Sequence, residues 1–324
     1  MAEAGEVVVT GGAGFIGVAL SRRLLAEDPG LRLVITDVVR HPRVKNLGDR
    51  ARFVEADLSD AAACRELITP RVSTVFHFAS LVSGGAEADF EANMKANVYA
   101  TVNLLEACRR AGGRPRLVFT SSIATFGGQA LPEEVDDWTH QHPQNSYGVA
   151  KAVGEQLLND YSRKGYVDGR GVRLPAIVVR DEPNTAASGY ASSIIREPLH
   201  GRDYACPVSP QTRIPILSIG RCVELLARLA ELPAGALGDY RTINGPSLSP
   251  SAGEMAAAVE AVPEAPKGRI SFTPDERIQS MISAWPRRLR AERAARLGLR
   301  ADDSIGQLVA DYAAGLRQGA KATA

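Results

Sequence analysis

Residues 10–17 read TGGAGFIG and directly follow the apolar run Val7-Val8-Val9. This order predicts a strand, a glycine-rich turn and the first turn of a helix. Gly11 allows the tight turn, Gly14 lets the backbone approach a pyrophosphate, and Gly17 lets the helix pack closely on the strand. The N–H groups at the start of the helix would then face the phosphates, so the stretch indicates a dinucleotide-binding turn.

The end of the next predicted strand supplies an acidic residue. Asp37 closes the second apolar run, about 20 residues beyond Gly17, where dinucleotide-binding units place the carboxylate that binds the adenosine ribose hydroxyls. Its negative charge would repel a ribose phosphate, which favours NAD over NADP. The basic residues Arg40, His41 and Arg43 follow closely, so NADP stays open as the alternative.

Strand-like apolar runs alternate with helical patterns through the first 180 residues. Several of these runs are apolar on both faces, as buried parallel strands are. The alternation therefore predicts an α/β fold of the Rossmann type, with a doubly wound parallel sheet. The predicted strands cover residues 6–10, 32–37, 51–55, 72–78, 116–121 and 172–179, and the predicted helices cover 15–27, 61–68, 89–111 and 146–164.

The alternation of strand-like and helical segments becomes irregular after Val179, which predicts a second domain. Residues 1–180 and 215–245 are predicted to form the dinucleotide-binding Rossmann domain. Residues 181–214 and 246–324 are predicted to form a small, mostly helical substrate-binding lobe, in which prolines separate short helical patterns. Ligands of open α/β sheets bind at the carboxyl ends of the strands, where this lobe is expected to lie.

The composition argues against several classes of partner. The 324 residues are 45% hydrophobic and 23% charged, with a formal net charge of +1, so nothing favours a nucleic acid or a membrane surface. The cysteines and histidines show no metal-ligand spacing, and no metal site is expected. Cys64 and Cys108 lie in helical patterns and are predicted to be buried. Without a visible secretory signal or membrane span, a reduced, cytoplasmic setting is expected.

A tyrosine and a lysine four positions apart are the candidate catalytic pair. Tyr147 and Lys151 fall on one face of a predicted helix. A free tyrosine has a pKa of about 10, and a neighbouring cation lowers it, so Tyr147 is predicted to act as a base. Ser122, in the pair Ser121-Ser122 that follows the fifth strand, is predicted to hold the reacting oxygen. The alternative, a surface pair without function, is disfavoured by the glycine-rich turn upstream.

Together these motifs resemble the extended short-chain dehydrogenase/reductase family, within the NAD-dependent epimerase/dehydratase superfamily. The resemblance covers nearly the whole chain and implies a Rossmann fold, NAD as cofactor and oxidoreductase chemistry. It is carried by TGGAGFIG, Asp37, Asp57-Leu58, His77-Phe78-Ala79-Ser80, Asn97, Ser121-Ser122, Tyr147 and Lys151.

The resemblance also implies roles for single residues. Ser122, Tyr147 and Lys151 would be catalytic. The alternatives are a plain helix cap for Asp57 and a core amide for Asn97. The cofactor-binding residues that it implies are Gly11, Gly14, Phe15, Ile16, Gly17, Asp37, Asp57, Leu58, Ala79, Ser80, Asn97, Tyr147, Lys151, Pro175 and Ile177.

The segments after residue 180 resemble one branch of this family. Residues 211–218 lack the segment typical of nucleotide-sugar epimerases, which argues against a bulky nucleotide sugar. Residues 183–190, 194–199 and 284–286 resemble the branch that oxidises the C2 hydroxyl of D-erythronate, a four-carbon sugar acid, with NAD. The substrate-binding residues predicted on this basis are Ser83, Ser122, Tyr147, Asn184, Ser188 and Arg196.

An arginine is expected to bind the carboxylate of such an acid. A guanidinium offers a carboxylate two parallel hydrogen bonds. Arg196 is the first candidate and Arg180 the second. For each of them the alternative is a structural ion pair.

Three other functions remain open. Ser121-Ser122 and Tyr147–Lys151 also resemble the L-threonine 3-dehydrogenase branch, and a nucleotide-sugar epimerase or dehydratase shares the same motifs. A regulatory protein that binds NAD(H) without catalysis is the third alternative, although the intact catalytic residues argue against it. The helices at 89–111 and 146–164 form a dimer face in most relatives, so a homodimer is expected.

Overall fold

The structure is a computed structural model that describes residues 5–182, 186–263 and 267–322. Its strands, in chain order, are β1 (Glu6–Thr10), β2 (Leu33–Asp37), β3 (Ala51–Glu55), β4 (Val72–His77), β5 (Arg116–Ser122), β6 (Glu134–Val135), β7 (Asp168–Leu174), β8 (Ala176–Val178), β9 (Tyr204–Cys206), β10 (Ile216–Ser218), β11 (Thr242–Asn244), β12 (Ile270–Phe272) and β13 (Arg288–Leu289).

Helices connect most of these strands. In chain order they are α1 (Phe15–Glu27), α2 (Ala61–Leu67), α3 (Ser83–Ala88), α4 (Phe90–Asn93), α5 (Ala100–Ala111), α6 (Ser146–Arg163), α7 (Tyr190–Leu199), α8 (Ile219–Glu231), α9 (Ala252–Glu260), α10 (Glu276–Ser283), α11 (Glu292–Arg296) and α12 (Ile305–Ala322). A π-helical segment, Met94–Tyr99, joins α4 to α5, so the helix predicted at 89–111 is continuous but locally widened.

The chain divides into two compact units. The first contains residues 1–125, 143–174 and 222–243, and the second contains 126–142, 175–221 and 244–324. The Rossmann domain predicted from the sequence also includes 126–142, 175–180, 215–221 and 244–245, which lie in the second unit. Strand pairing explains the difference, because β6 pairs with β13 and β8 pairs with β10, all within the second unit.

The first unit is built on a seven-stranded parallel sheet with strand order β11-β7-β5-β4-β1-β2-β3. The order reverses between β1 and β4, and ligands bind at such a switch point in doubly wound sheets. Thr10 and His77 end these two strands side by side. The predicted Rossmann-type fold is therefore confirmed, and the switch point coincides with the start of the glycine-rich turn.

A buried apolar cluster joins the sheet of the first unit to α2, α5 and α6. It includes Val75, Leu104, Phe119 and Leu158, all at most 1% exposed. The predicted burial of Cys64 and Cys108 is confirmed, since both belong to this cluster. Burial raises the pKa of each thiol to about 12, so both behave as small apolar side chains.

The strand predicted at 172–179 is wrong as a single element. β7 ends at Leu174 in the main sheet, and β8 begins at Ala176 in a separate two-stranded sheet. Pro175 lies between them and lacks the N–H group that a central strand must donate. The mostly apolar residues on both sides of this proline, interrupted only by Arg173, concealed the break.

The second unit combines helices with three short parallel strand pairs, β8–β10, β9–β12 and β6–β13. Ser251 and Glu254 form a reciprocal capping box at the start of α9. Arg213 donates to both carboxylate oxygens of Glu254, at 3.0 and 2.9 Å. In the described part of the chain, no helix is long and apolar enough to cross a membrane, and no group of three metal-binding side chains is present.

Candidate active site

The glycine-rich turn has the shape that a bound pyrophosphate requires. Gly11 has a positive φ of 61°, and a Cβ there would lie 2.5 Å from the backbone nitrogen of Ala79, so no other residue fits. A Cβ on Gly17 would lie 2.6 Å from Gly12 Cα, which explains the close packing of α1. Gly14 is exposed and caps α1 without a side-chain hydrogen bond. The helix start is therefore open to an anion, which fits a dinucleotide phosphate.

Asp37 joins the end of β2 to the glycine-rich turn. Its Oδ2 accepts a hydrogen bond from the N–H of Ala13 at 3.1 Å, and its Oδ1 accepts one from Val38 at 2.9 Å. Burial raises the pKa of Asp37 above its usual value, although these two donors oppose the shift. The carboxylate thus lies beside the turn, as a ligand of the adenosine ribose must.

The basic residues after Asp37 have structural contacts of their own. The guanidinium of Arg40 lies 5.6 Å from the ring centroid of Phe53, a cation–π distance. His41 caps a short 3₁₀ helix by accepting from the N–H of Arg43 at 3.3 Å. Of the three basic residues that made NADP an alternative, Arg40 and His41 therefore have structural contacts within this segment and with β3.

The loop after β3 is held from α5. Asn103 donates its side-chain amide to the carbonyl oxygens of Leu58 and Ser59, at 3.1 and 2.9 Å. Asp57 is exposed and accepts from the N–H of Ser59 at 2.8 Å, whereas the cap of α2 is Asp60. The suggestion that Asp57 caps this helix is therefore wrong. Leu58 is buried in the core.

Asn97, in the π-helical segment, clamps the loop after β4. Its Oδ1 accepts from Ser80 Oγ at 2.9 Å and from the Leu81 N–H at 2.8 Å. Its Nδ2 donates to the Leu81 carbonyl at 2.9 Å and to Asn93 Oδ1 at 2.7 Å. The amide is fully used, so the structure favours the core-amide alternative for Asn97. Asn93 in turn donates to the carbonyl of Ser146 at 3.3 Å, next to Tyr147.

His77 is a buried hydrogen-bonding centre below the switch point. Thr101 Oγ1 donates to the carbonyl of Asn97 at 2.7 Å, so it accepts from His77 Nε2 at 3.1 Å. The other ring nitrogen, Nδ1, then accepts from Thr10 Oγ1 at 2.7 Å. The Ala79 N–H donates to the same Thr10 hydroxyl at 3.3 Å. The neutral imidazole therefore ties together the ends of β1 and β4.

Burial strongly affects the ionisation of His77. It lowers the pKa of the ring to about 3, and the positive charge of Lys151 acts in the same direction. His77 is consequently neutral at physiological pH, in agreement with its hydrogen bonds.

Lys151 is buried between the ring of Tyr147 and the sheet. Its Nζ lies 5.5 Å from the ring centroid of Tyr147 and 5.1 Å from that of Phe119. The residue is only 5% exposed, and burial lowers the pKa of the ammonium to about 8. Among the described residues no carboxylate forms an ion pair with it. A buried ammonium held in this way is typical of a functional site rather than of a surface pair.

Two glycines let α6 approach the strand that carries Ser122. A Cβ on Gly148 would overlap the carbonyl oxygen of Ala124, and a Cβ on Gly154 would lie 2.5 Å from the ring of Phe119. Asn145 caps the helix by accepting from the Gly148 N–H at 2.8 Å. Tyr147, which precedes Gly148, is therefore brought to the end of β5.

The two serines at the end of β5 have different surroundings. Ser122 is half-buried, and its Oγ accepts from the Ala124 N–H at 3.1 Å. Ser121 is buried and donates to the carboxylate of Glu155. Of the pair, Ser122 is thus the one whose hydroxyl a substrate can reach. The sequence prediction missed Glu155, although it lies four residues after Lys151 on the same helical face.

The residues predicted to bind substrate are distributed over both units. Ser83 begins α3 and is buried. Ser188 lies in the 3₁₀ helix Ala187–Gly189, whereas Asn184 falls outside the described residues. Pro175 and Ile177, predicted to contact the cofactor, are buried around the start of β8.

Arg196 has internal partners for all parts of its guanidinium. Nε donates to Glu197 Oε1 at 2.6 Å, Nη1 donates to the carbonyl of Arg180 at 2.6 Å, and Nη2 donates to Ser193 Oγ at 3.0 Å. The side chain is 3% exposed. The structure therefore favours the ion-pair alternative over a role in binding a substrate carboxylate.

Comparison with known proteins supports this interpretation of the fold. The model of the NAD dependent epimerase/dehydratase family matches residues 7–231. D-erythronate dehydrogenase from Cupriavidus necator is 44% identical over 318 residues, covering 95% of this chain and 97% of that protein. D-erythronate dehydrogenase from Haemophilus influenzae is 40% identical over 311 residues, covering 95% and 98%. A crystal structure of a nucleoside-diphosphate-sugar epimerase from Agrobacterium tumefaciens superposes with a TM-score of 0.87 at 36% identity, covering 94% of this chain and 92% of that one.

The chain therefore belongs to the NAD dependent epimerase/dehydratase family, and the predicted resemblance to extended short-chain dehydrogenases is confirmed. Within that family it is an oxidoreductase that acts on a CH–OH group and uses a nicotinamide cofactor.

Proposed function

We propose that this enzyme oxidises the C2 hydroxyl of D-erythronate to 2-dehydro-D-erythronate, with NAD as the oxidant. The observation that carries the proposal is the buried Lys151 ammonium, 5.5 Å from the ring of Tyr147. A phenol beside a desolvated cation suits the removal of a hydroxyl proton. The choice of acid is supported by the two relatives named D-erythronate dehydrogenase, which align over 95% of this chain.

Tyr147 is the proposed base. The positive charge of Lys151 favours the phenolate over the phenol. Because the pKa of Lys151 is about 8, the ammonium is mostly charged at neutral pH. The pair therefore combines a cation and a proton acceptor under physiological conditions.

Ser122 is proposed to orient the substrate oxygen. Its Oγ already accepts a hydrogen bond from the Ala124 N–H, so the hydroxyl hydrogen points elsewhere. In the described part of the chain no acceptor takes that hydrogen. It can therefore be donated to the reacting oxygen while Tyr147 removes the proton.

The cofactor is proposed to lie along the switch point of the sheet. Gly11, Gly14 and the start of α1 would hold the pyrophosphate, Asp37 the adenosine ribose, and Lys151 the nicotinamide ribose. When bound, the nicotinamide supplies the acceptor for the hydride that leaves C2. NAD is proposed rather than NADP because the Asp37 carboxylate would repel a ribose phosphate.

A homodimer is proposed through the helices of the first unit. Phe90, Tyr99, Val149 and Val153 are between 38% and 68% exposed, and they lie on the two helical segments predicted to form the dimer face. Large exposed apolar side chains of this kind mark association surfaces. Light scattering after size-exclusion chromatography would give twice the chain mass for a dimer. A single chain mass would refute it.

The test of the activity is NADH formation by purified protein. The panel contains D-erythronate, D-threonate, L-threonate, glycerate, L-threonine and a UDP-sugar, each with NAD and with NADP. Conversion of the UDP-sugar is followed by chromatography of the products. Turnover of D-erythronate with NAD is the expected result. Turnover of L-threonine alone would assign the chain to the amino-alcohol branch, and conversion of a UDP-sugar without net NADH would make it an epimerase. Tight NADH binding with no turnover would favour a binding protein.

A further inference from the structure

A second buried network lies next to the proposed catalytic residues. Ser121 and Arg173 face each other across β5 and β7 in the sheet register. Glu155 of α6 contacts both side chains. Ser121 directly precedes Ser122, and Glu155 follows Lys151 by one helical turn. The network therefore joins the strand that carries the serine to the helix that carries the tyrosine and lysine.

The contacts of Glu155 are directional and fully buried. Arg173 Nε donates to Oε1 and Oε2 at 3.0 and 3.2 Å, and Nη2 donates to Oε2 at 2.8 Å. Ser121 Oγ donates to Oε1, and Arg173 Nη2 also donates to the hydroxyl of Tyr240. The side chains of both Arg173 and Glu155 are 0% exposed. Burial alone would lower the pKa of Arg173, but Glu155 and Tyr240 outweigh it and keep the pKa above its usual value.

Stability alone is a weak reason for burying this pair. The desolvation of two charges often equals or exceeds their attraction, so an apolar pair of similar volume would stabilise the fold as well. Charged hydrogen bonds do, however, fix relative positions more strictly than apolar contacts. The other close contacts of α6 with this strand region are the approaches at Gly148 and Gly154 and the cation–π contact of Lys151 with Phe119. They set a distance but leave rotation and sliding weakly restrained.

We propose that Glu155 is a positioning residue for the reaction: its carboxylate, held by Arg173, fixes Ser121 and thereby keeps Ser122 in place relative to Tyr147 and Lys151. This inference rests on the proposed function, because Ser122 must act on the substrate for its position to matter. Glu155 itself does not touch the reacting atoms in this scheme. Its effect on turnover passes through Ser122.

The test is a double-mutant cycle between the network and Ser122. Ser121→Ala removes the link from Glu155 to the strand and leaves the ion pair intact. It is expected to lower kcat roughly 10- to 100-fold, as for a reacting group misplaced by about 1 Å, with an unchanged Kd for NADH. In a Ser122→Ala background the same substitution is expected to cause no further loss. Independent losses that multiply in the double variant would overturn the proposal.

Three further variants separate positioning from folding. Glu155→Gln leaves Arg173 without its carboxylate and risks unfolding, so the pair is also replaced together as Glu155→Leu with Arg173→Met. The paired variant is expected to recover the thermal midpoint but not kcat, whereas recovery of both would overturn the proposal. Tyr240→Phe is the matched control, because it removes one contact of Arg173 and leaves the contacts among Arg173, Glu155 and Ser121 in place. It is expected to keep wild-type kcat.

Hydrogen exchange distinguishes a failure of this inference from a failure of the proposed function. If the wild-type protein turns over none of the panel compounds, the proposed function fails and kinetics cannot be used. Ser121→Ala is still expected to increase amide exchange in residues 119–125 and to leave residues 6–17 unchanged. Unchanged exchange in residues 119–125 would overturn the positioning role whatever the substrate is.

Discussion

Nζ of Lys151 lies 5.1 Å from the ring centroid of Phe119, on the strand that leads to Ser122. The same ammonium lies 5.5 Å from the ring of Tyr147. One buried cation thus contacts both the helix that carries the proposed base and the strand that carries the proposed serine. Because no carboxylate of the described residues pairs with it, its charge is directed at the site. The consequences of this arrangement can be measured separately for catalysis and for stability.

Tyr147→Phe is expected to abolish most of the activity while NADH still binds. The substitution removes the only atom of the side chain that can accept the substrate proton. A positioned acid–base group contributes roughly 100- to 10,000-fold, so kcat should fall by at least the lower figure. The measurements are the initial rate of NADH formation on the substrate panel described above and the affinity for NADH from a fluorescence titration. Tyr166→Phe, at a partly exposed tyrosine, is the control, and near wild-type turnover by the Tyr147 variant would refute the assignment.

Lys151→Met is expected to inactivate the enzyme and to stabilise the fold. Burial lowers the pKa of Lys151 from 10.5 to about 8. A shift of one pKa unit between the unfolded and the folded chain corresponds to about 1.4 kcal/mol of free energy. The charged side chain therefore reduces the free energy of unfolding at neutral pH by up to about 3 kcal/mol. Methionine has a similar shape without the charge. In urea unfolding at pH 7, the free energy of unfolding of the variant should exceed that of the wild type. This difference should become smaller above pH 8. A loss of stability would mean that the ammonium is solvated or paired.

Gly148→Ala is expected to reduce both stability and activity. The new Cβ would overlap the carbonyl oxygen of Ala124 and would lie 2.9 Å from Pro143 Cβ, so a backbone group and a rigid proline ring would have to move. Overpacking of this kind costs about 1 to 3 kcal/mol, and the helix that carries Tyr147 would be displaced from Ser122. Gly315→Ala is the matched control, since a Cβ there meets no atom within 4 Å and should be neutral or slightly stabilising. Equal thermal midpoints for the two variants would contradict the close contact.

The sequence predicted the main sheet well because its evidence is local. TGGAGFIG, the alternating apolar runs and the Tyr147–Lys151 spacing are all readable within a few residues, and β1 and α1 have the predicted bounds. Strands of two or three residues, such as β6 and β13, are too short to show a period. Their pairing over a long sequence separation moved residues 126–142 into the second unit.

The polar residues were harder to interpret from the sequence. Arg173 and Glu155 stand in stretches that look like an ordinary strand and an exposed helix, and only the packing of α6 on β7 brings them together. Arg196 suggested a carboxylate ligand, but its neighbours Glu197 and Ser193 already use its donors. Which polar side chains are satisfied internally depends on tertiary contacts, and a single sequence does not contain that information.

Acidification is expected to destabilise the protein through His77. The pKa of its ring is about 3 in the folded chain and 6.5 in the unfolded chain, so between these values the unfolded chain binds a proton that the folded chain does not. The free energy of unfolding therefore falls as pH drops below 6.5, by about 1.4 kcal/mol per pH unit from this one group. His77→Gln keeps a donor and an acceptor but cannot titrate. Its free energy of unfolding, measured with urea between pH 7 and pH 4, should therefore fall less steeply with decreasing pH than that of the wild type. His140→Gln, at an exposed loop position, is the control and should keep the wild-type slope. If His77→Gln also kept the wild-type slope, the proton would be taken up elsewhere and the neutral buried ring would be ruled out as the cause.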